Sequence, residues 1–287
     1  MKKIIVLIIS FLMIVSQAFA EVAETRYCAV PENKETGSKL SKLISNVTGG
    51  NFLSTKAAEK AIQNVIKGQL GSNVNVELYP YTVGSLLQGK FKKMSITAKS
   101  LNLTGLYVSK FKAETLCEYN QVTVKNGELL FKENFVMGFS GKITNEDLEK
   151  TMETPQFLQL VQSARVRLFG QDLFKLSYMK ISIKNNKLIL VANVMSPILW
   201  GTDSKKITAT SNLSIVNGKI RYENIKIMDT TLNKWIQALL SLFNLVNPFT
   251  FEIKLSKNTS GYTSVKNVII ENNEIKMDGV LYIPKNN

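Results

Sequence analysis

The chain of 287 residues contains no histidine. That absence excludes the Ser-His and Cys-His nucleophilic mechanisms, and it also excludes metal sites built on imidazole. No glycine-rich loop has the spacing of a phosphate-binding motif. We therefore expect no catalytic residue set, no cofactor and no metal, and we predict that the protein is not an enzyme.

Cysteine is almost absent as well. Cys28 and Cys117 are the two in the chain, and neither belongs to a Cys-x-x-Cys motif. A thiolate zinc site is therefore not expected. Two arrangements stay open: a disulfide, which we favour for an exported protein, and two unpaired thiols.

A long hydrophobic run occurs at the N-terminus, within residues 1–20. Lys2 and Lys3 precede the run "IIVLIISFLMIV", and the small residues of Ala18-Phe19-Ala20 follow it, as in a secretory signal peptide. The alternative, an uncleaved membrane anchor, needs a span of about 20 apolar residues, which is longer than this run. We expect export across the inner membrane to the periplasm or cell envelope.

Acidic residues are too few to balance the basic ones, and the formal net charge is +14. An excess of this size favours anionic partners. Nucleic acid is not the expected partner of an exported protein. The remaining classes are anionic phospholipid, a membrane surface and anionic glycans. The sequence leaves the oligomeric state open.

One acidic cluster could serve acid/base chemistry, and it comprises Glu146, Asp147, Glu149 and Glu153. The cluster also opens a helical pattern, in which Thr144 can cap and Asp147 can complete a capping box. Acidic side chains favour the helix dipole at that position. We interpret the cluster as a helix start.

The periodicity of the sequence divides the chain. Residues 21–53 are expected to form a leader with one short helix near 38–47, and residues 54–287 a single α+β domain. A helix capped by Ser54 or Thr55 is expected to end at Gly71. Two short helices are expected after residue 144, the second with Pro155 in its first turn, and a third helical region at 230–246. Strand patterns fill the rest.

Four segments of one form predict four tight β-hairpins. Each centres on Asn-Gly or Asn-Asn, which tolerate the positive φ that a two-residue type I′ turn requires. The segments are "VTVKNGELLF" (122–131), "ISIKNNKLIL" (181–190), "LSIVNGKIRY" (213–222) and "VIIENNEIKM" (268–277). The turn sets the register, which gives each hairpin one apolar face, with a single tyrosine hydroxyl among the paired side chains.

Those apolar faces must be covered, and two readings stay open. The helical region at 230–246 has a wide apolar stripe, so it could pack on the sheet as an ordinary core helix. Alternatively, sheet and helix could line a cavity for acyl chains, since each buried methylene contributes about 0.8 kcal/mol. The expected lining is Val122, Val124, Leu129, Phe131, Ile181, Ile183, Leu188, Leu190, Trp235, Leu239 and Phe243.

The turn "VGSLLQGKFKKM", residues 83–94, combines apolar and basic side chains. It has two readings, an inward cap on the sheet or an apolar lip at a cavity mouth that enters a bilayer while lysines meet the phosphates. The candidate membrane and headgroup contacts are Leu86, Leu87, Lys90, Lys92 and Lys93.

The segment "VNVELYPYTVGSLLQGKFKKMSITAKSLNLTGLYVSKFKAETLCEY", residues 74–119, resembles the core of the LmeA-like family of exported bacterial phospholipid-binding proteins. The closing segments "VNPFTFEIKL" and "TSVKNVIIENNEIKMDGVLYI" are similar to the end of that family. "SKNTSGY" lengthens a usually short connection, and "GVLYI" replaces a more Gly/Thr-rich ending. The resemblance covers about residues 54–284, and the family positions are occupied by Pro80, Leu86, Leu87, Gly89, Lys90 and Phe91.

The resemblance implies an elongated α+β fold, similar to the tubular lipid-binding superfamily, in which a strongly curved antiparallel sheet of meanders and hairpins wraps one to three amphipathic helices. It also implies phospholipid binding without an established catalytic site. The expected function is an exported, cell-envelope phospholipid-binding and possible lipid-transfer protein that holds anionic headgroups with lysines. The alternative is a non-enzymatic envelope scaffold that binds a protein or glycan and has a self-packed core.

Overall fold

The structure, a computed structural model, describes most of the chain beyond the N-terminal region. The described residues are Cys28, 50–71, 74–201, 203–228, 235–255 and 261–285. The expected signal peptide and the expected helix near 38–47 lie outside them.

The fold is α+β and consists mostly of antiparallel sheet, as expected. The helices are α1 (Gly50–Leu70), α2 (Val83–Leu87), α3 (Asn145–Met152), α4 (Pro155–Ser163), α5 (Pro197–Trp200) and α6 (Ile236–Leu245). The first strands are β1 (Val74–Pro80), β2 (Lys90–Leu103), β3 (Leu106–Thr115), β4 (Asn120–Lys125), β5 (Glu128–Phe131) and β6 (Phe135–Ile143). The others are β7 (Arg165–Leu168), β8 (Gln171–Lys184), β9 (Lys187–Met195), β10 (Ser204–Val216), β11 (Lys219–Ile227), β12 (Tyr262–Glu271) and β13 (Glu274–Ile283).

The strands form two sheets. The eight-stranded sheet has the order β12-β13-β6-β3-β2-β4-β5, with β1 also paired to β2. One sheet is strongly curved into a half-barrel. The five-stranded sheet contains β7 to β11 in simple meander order. The sheets meet where Val265 of β12 donates its backbone N–H to the Gly218 carbonyl at 2.8 Å.

All four predicted hairpins are confirmed, with their registers. Val124 pairs with Leu129 and Ile183 with Leu188, as the Asn-Gly and Asn-Asn turns require. The first turn residue of each hairpin has φ between 51° and 54°. Two further hairpins turn at Thr104-Gly105 and Phe169-Gly170, where both φ values are also positive.

The helix boundaries agree in part with the expectation. Thr144 caps α3 in a capping box with Asp147, and Thr154 caps α4 with Pro155 at its start, as predicted. The cap predicted at Ser54 or Thr55 is wrong, because α1 already begins at Gly50. It ends at Leu70, directly before Gly71, whose φ is +63°.

The helices cover the apolar sheet faces. α1 packs on β1, α3 contacts both β3 and β8, and α6 contacts β7, β8 and β11. Most of the buried apolar side chains of both sheets and of these helices belong to one continuous cluster. Close packing of this kind stabilises the fold through the apolar area that it removes from water.

The two cysteines form the favoured disulfide. Cys28 is bonded to Cys117, with a Cα–Cα distance of 5.4 Å. Cys117 is buried beside Val136 and Val280, in a small cluster separate from the main core. The bond joins the N-terminal region to the segment between β3 and β4 and is typical of an exported protein.

Candidate functional site

The residues predicted to line an acyl cavity lie mainly inside the packed core. Nine of the eleven are at most 4% exposed and belong to the main cluster. Trp235 is half-buried and meets Phe174 edge-on at 6.1 Å between ring centroids. Val124 is 41% exposed, at the outer end of its hairpin. These side chains therefore mostly contact one another and the core.

The turn at residues 83–94 contains a short helix, which separates its two leucines. Thr82 caps α2 in a capping box with Ser85, and the helix directs Leu86 into the core at 7% exposure. Leu87 points outward and is 79% exposed. The inward-cap reading is therefore confirmed for Leu86, and the membrane reading stays a prediction for Leu87.

The three lysines of this turn have different surroundings. Lys93 Nζ lies 2.9 Å from a carboxylate oxygen of Glu114, and the hydrogen bonds from Lys93 and then Lys112 lower the pKa of that carboxyl group. Lys92 Nζ lies 5.5 Å from the centroid of the Tyr81 ring. Lys90 begins β2 and has no carboxylate partner among the described residues. Three members of the predicted contact are therefore free for a partner. Leu87 faces outward, and Lys90 and Lys92 have no ion pair with a carboxylate among the described residues.

The acidic cluster is occupied by structural contacts. Asp147, 2% exposed, accepts hydrogen bonds from the backbone N–H and hydroxyl of Thr144 and from the Ser109 hydroxyl. Glu146 pairs with Lys150 at 2.7 Å. The cluster caps α3, as the sequence indicates.

A groove at the meeting point of the two sheets contains unpaired positive charge. We call it the junction groove. It consists of two adjoining clefts of about 230 and 470 Å³ that share Thr104, Lys219 and Thr250. Small-molecule sites commonly measure about 300–1,000 Å³. Its walls come from the β2–β3 turn, α4, the start of β11, the end of α6 and the segment leading into β12.

The junction groove combines an apolar wall with two cations and one carboxylate, Glu252, which pairs with Lys254 at 3.1 Å. Lys219 and Arg221 alternate along β11, so both project from the same face of the strand. Neither makes an ion pair with a carboxylate in the described part of the chain. The apolar wall is formed by Phe157, Leu160, Leu245, Pro248, Phe249 and Phe251.

Buried hydrogen bonds hold the segment after α6 in place. Asn247 donates from Nδ2 to the Ile220 carbonyl at 2.8 Å and accepts from the Phe249 N–H at 3.0 Å. The hydroxyl of Tyr222 donates to the Val246 carbonyl at 3.1 Å, and burial raises its pKa. These contacts attach one wall of the groove to the strand that carries the cations.

No family model, curated protein or solved structure matches this chain. The resemblance to the LmeA-like family therefore stays a prediction. Within the described residues, no helix combines the length and apolar character needed to cross a membrane.

The junction groove does not show in the sequence. Its residues come from separate parts of the chain, and a single sequence does not indicate which of them meet. One local signal was present: Lys219 and Arg221 follow the predicted Asn217-Gly218 turn on the face opposite the apolar one.

Proposed function

We propose that the protein binds anionic phospholipid at a cell-envelope membrane surface and catalyses no reaction. The observation that carries the proposal is the junction groove, in which two unpaired cations stand beside an apolar wall. The disulfide and the net charge of +14 fit an exported protein with an anionic partner.

The headgroup would lie against β11. A phosphate oxygen accepts charge-assisted hydrogen bonds from lysine and arginine, and arginine can bind it with two N–H groups. Lys219 and Arg221 occupy successive positions on one strand face, so one phosphate can reach both. Gln156 and Asn244, which also line the groove, add amide donors.

The acyl chain would follow the apolar wall. Phe157 and Pro248 are buried in that wall, whereas Leu245 at the end of α6 is 50% exposed. Each methylene removed from water contributes about 0.8 kcal/mol. This location replaces the predicted hairpin lining, whose side chains already pack against each other. Leu87, Lys90 and Lys92 remain a proposed contact with the membrane surface.

The first test reverses the two cations in a Lys219→Glu, Arg221→Glu variant. Two lost charge-assisted hydrogen bonds should weaken binding of a fluorescent-tailed phosphatidylglycerol about a hundredfold. The matched control is Lys60→Glu, Lys67→Glu on α1, which makes the same charge change at two exposed lysines outside the groove and should bind as wild type. If both variants lost the same affinity for phosphatidylglycerol, net charge alone would explain the effect and binding in the groove would be wrong.

The second test addresses the apolar wall with two leucines of similar exposure. Leu245 is 50% exposed in the groove, and Leu158 is 47% exposed on α4 beside a different cleft. Native mass spectrometry of protein from a bacterial host should show bound phospholipid in wild type and Leu158→Ser and much less in Leu245→Ser. The proposed function would be overturned if wild-type protein carried no lipid and also failed to bind added phosphatidylglycerol.

The packed core supports one second candidate. Nine of the eleven residues predicted to line a cavity are buried against other residues, which is what a scaffold with a self-packed core requires. Such a protein would bind an envelope protein or glycan through its basic surface. It would purify without lipid, and its partner would be retained by the Leu245→Ser variant.

A further inference from the structure

The hairpin between β7 and β8 has an unusual residue at its tip. Phe169 occupies the first turn position with φ of +51° and is 96% exposed. The corresponding position is Asn126, Asn185, Asn217 or Asn272 in four other hairpins of this chain. A bulky residue with positive φ is an outlier, and asparagine tolerates that conformation better. Phe169 therefore strains the backbone and exposes an aromatic ring without packing in return.

Other apolar side chains lie at the same end of the five-stranded sheet. Arg165, Lys175, Met195 and Ser204 form one row across β7, β8, β9 and β10. The Phe169 turn and α5 both lie beyond that row. Leu168 is 39% and Ile198 46% exposed there. Trp200 of α5 packs on Phe174 of β8 at 5.7 Å between ring centroids, which places α5 against the strand that leaves the turn.

The same end is rich in cations. Five cations stand in or near the row, together with Asp172 and Asp203. Asp172 pairs with both arginines, because its carboxylate oxygens lie 3.1 Å from Arg167 Nε and 3.9 Å from an Arg165 Nη. Lys205 Nζ lies 4.8 Å from the centroid of the Trp200 ring. The five cations are Arg165, Arg167, Lys175, Lys205 and Lys206. In a membrane interface, apolar rings lie below the headgroups, tryptophan lies at headgroup level and basic side chains meet the phosphates. The exposed Phe169 ring, Trp200 and the basic side chains behind them follow the same order.

We propose that this end of the five-stranded sheet docks on a bilayer containing anionic phospholipids, with Phe169 inserted below the headgroups. The lysines and arginines behind it meet the phosphates, and Trp200 lies near headgroup level. The inference rests on the proposed function for its choice of partner. It uses residues distinct from the junction groove and from the 83–94 turn, and neither the resemblance nor the sequence patterns indicated them.

The test is Phe169→Asn, because asparagine suits the turn. The variant should melt about 2–4 °C higher than wild type, since the backbone strain at the turn is relieved. It should nevertheless bind vesicles of equal parts phosphatidylglycerol and phosphatidylcholine about tenfold to a hundredfold more weakly, the loss expected when one phenylalanine is no longer buried. Phe169→Trp should retain binding, because tryptophan favours the interface.

A control variant locates the contact. Tyr178→Asn removes an aromatic ring that is 48% exposed in the middle of β8, and it should bind vesicles as wild type. Undiminished sedimentation of Phe169→Asn with vesicles would overturn the inference, as would equal binding of wild type to vesicles of phosphatidylcholine alone.

The two proposals fail separately. If purified wild type carries lipid but Phe169→Asn sediments normally, the docking inference is wrong and the lipid-binding function stands. If wild type neither carries nor takes up lipid but sediments with vesicles in a Phe169-dependent way, the junction groove is wrong and the docking surface stands.

Discussion

Tyr222 illustrates how single residues hold the candidate site together. Its ring packs against Phe249 at 6.1 Å between centroids, and its hydroxyl donates to the Val246 carbonyl. The position was predicted on the apolar face of a hairpin, where its hydroxyl was the one polar group. The structure supplies the partner that such a buried hydroxyl requires.

Tyr222→Phe should lower the free energy of unfolding near pH 7 by about 0.5–1.5 kcal/mol, through loss of one buried hydrogen bond. Burial raises the pKa of Tyr222 above its ordinary value of 10.0. The stabilisation is thus complete below pH 10.0 and is lost as the pH rises above it. In urea unfolding, the difference in free energy of unfolding between wild type and variant should shrink by about 1 kcal/mol from pH 10 to pH 11. A pH-independent gap would contradict a buried, neutral hydroxyl.

Two glycines permit a matched test at the level of the turns. Gly89 and Gly127 have φ of +75° and +73°, respectively. A Cβ on Gly89 would lie 2.3 Å from the Val122 carbonyl oxygen, whereas a Cβ on Gly127 would meet nothing within 4 Å. The backbone strain is therefore the same, and the steric conflict differs.

Gly127→Ala should destabilise the protein by about 1–2 kcal/mol, the cost of a left-handed residue. Gly89→Ala should cost about 1–3 kcal/mol more, because β4 must move to admit the methyl group. Chemical denaturation of both variants gives the difference. Equal destabilisation would mean that α2 and β4 are not held as closely as described.

The hairpins also show how far local sequence predicts this fold. Four turns were predicted because asparagine and glycine at their centres favour positive φ, and the turn then determines which side chains face the core. The Thr104-Gly105 and Phe169-Gly170 turns were missed, since threonine and phenylalanine do not signal that conformation. The five-residue α2 was missed because its capping box uses serine at the third position, where glutamate or glutamine is the usual signal.

Pairing between distant strands was beyond the sequence reasoning. Nothing in β6 indicates that it lies between β3 and β13. The junction groove depends on such contacts, because Phe157, Lys219 and Leu245 come together only when the sheets meet. Local patterns predicted the hairpins, whereas tertiary contacts determine the candidate site.

At the scale of the molecule, the disulfide is the covalent link between the N-terminal region and the eight-stranded sheet. Cys28 and Cys117 are separated by 89 residues in sequence. A bridge over a loop of this length should stabilise the fold by about 4 kcal/mol, chiefly by restricting the unfolded chain.

The Cys28→Ala, Cys117→Ala variant should therefore unfold at a lower urea concentration than oxidised wild type, with a loss of about 2–5 kcal/mol. Wild type treated with a reducing agent should approach the variant, while the agent should leave the variant unchanged. Equal stability of oxidised wild type and variant would show that the bridge is dispensable to the fold.

The order of the strands has a consequence for how the chain assembles. β7 to β11 follow one another in sequence, so the five-stranded sheet needs only neighbouring contacts, which tend to form quickly. The eight-stranded sheet, in contrast, is completed by β13 pairing with β6, far earlier in the chain. Until the hairpin of β12 and β13 has formed and paired, one edge of β6 has unpaired backbone N–H and C=O groups that another strand can bind. The chain is therefore most exposed to misassembly in the interval before β13 pairs with β6.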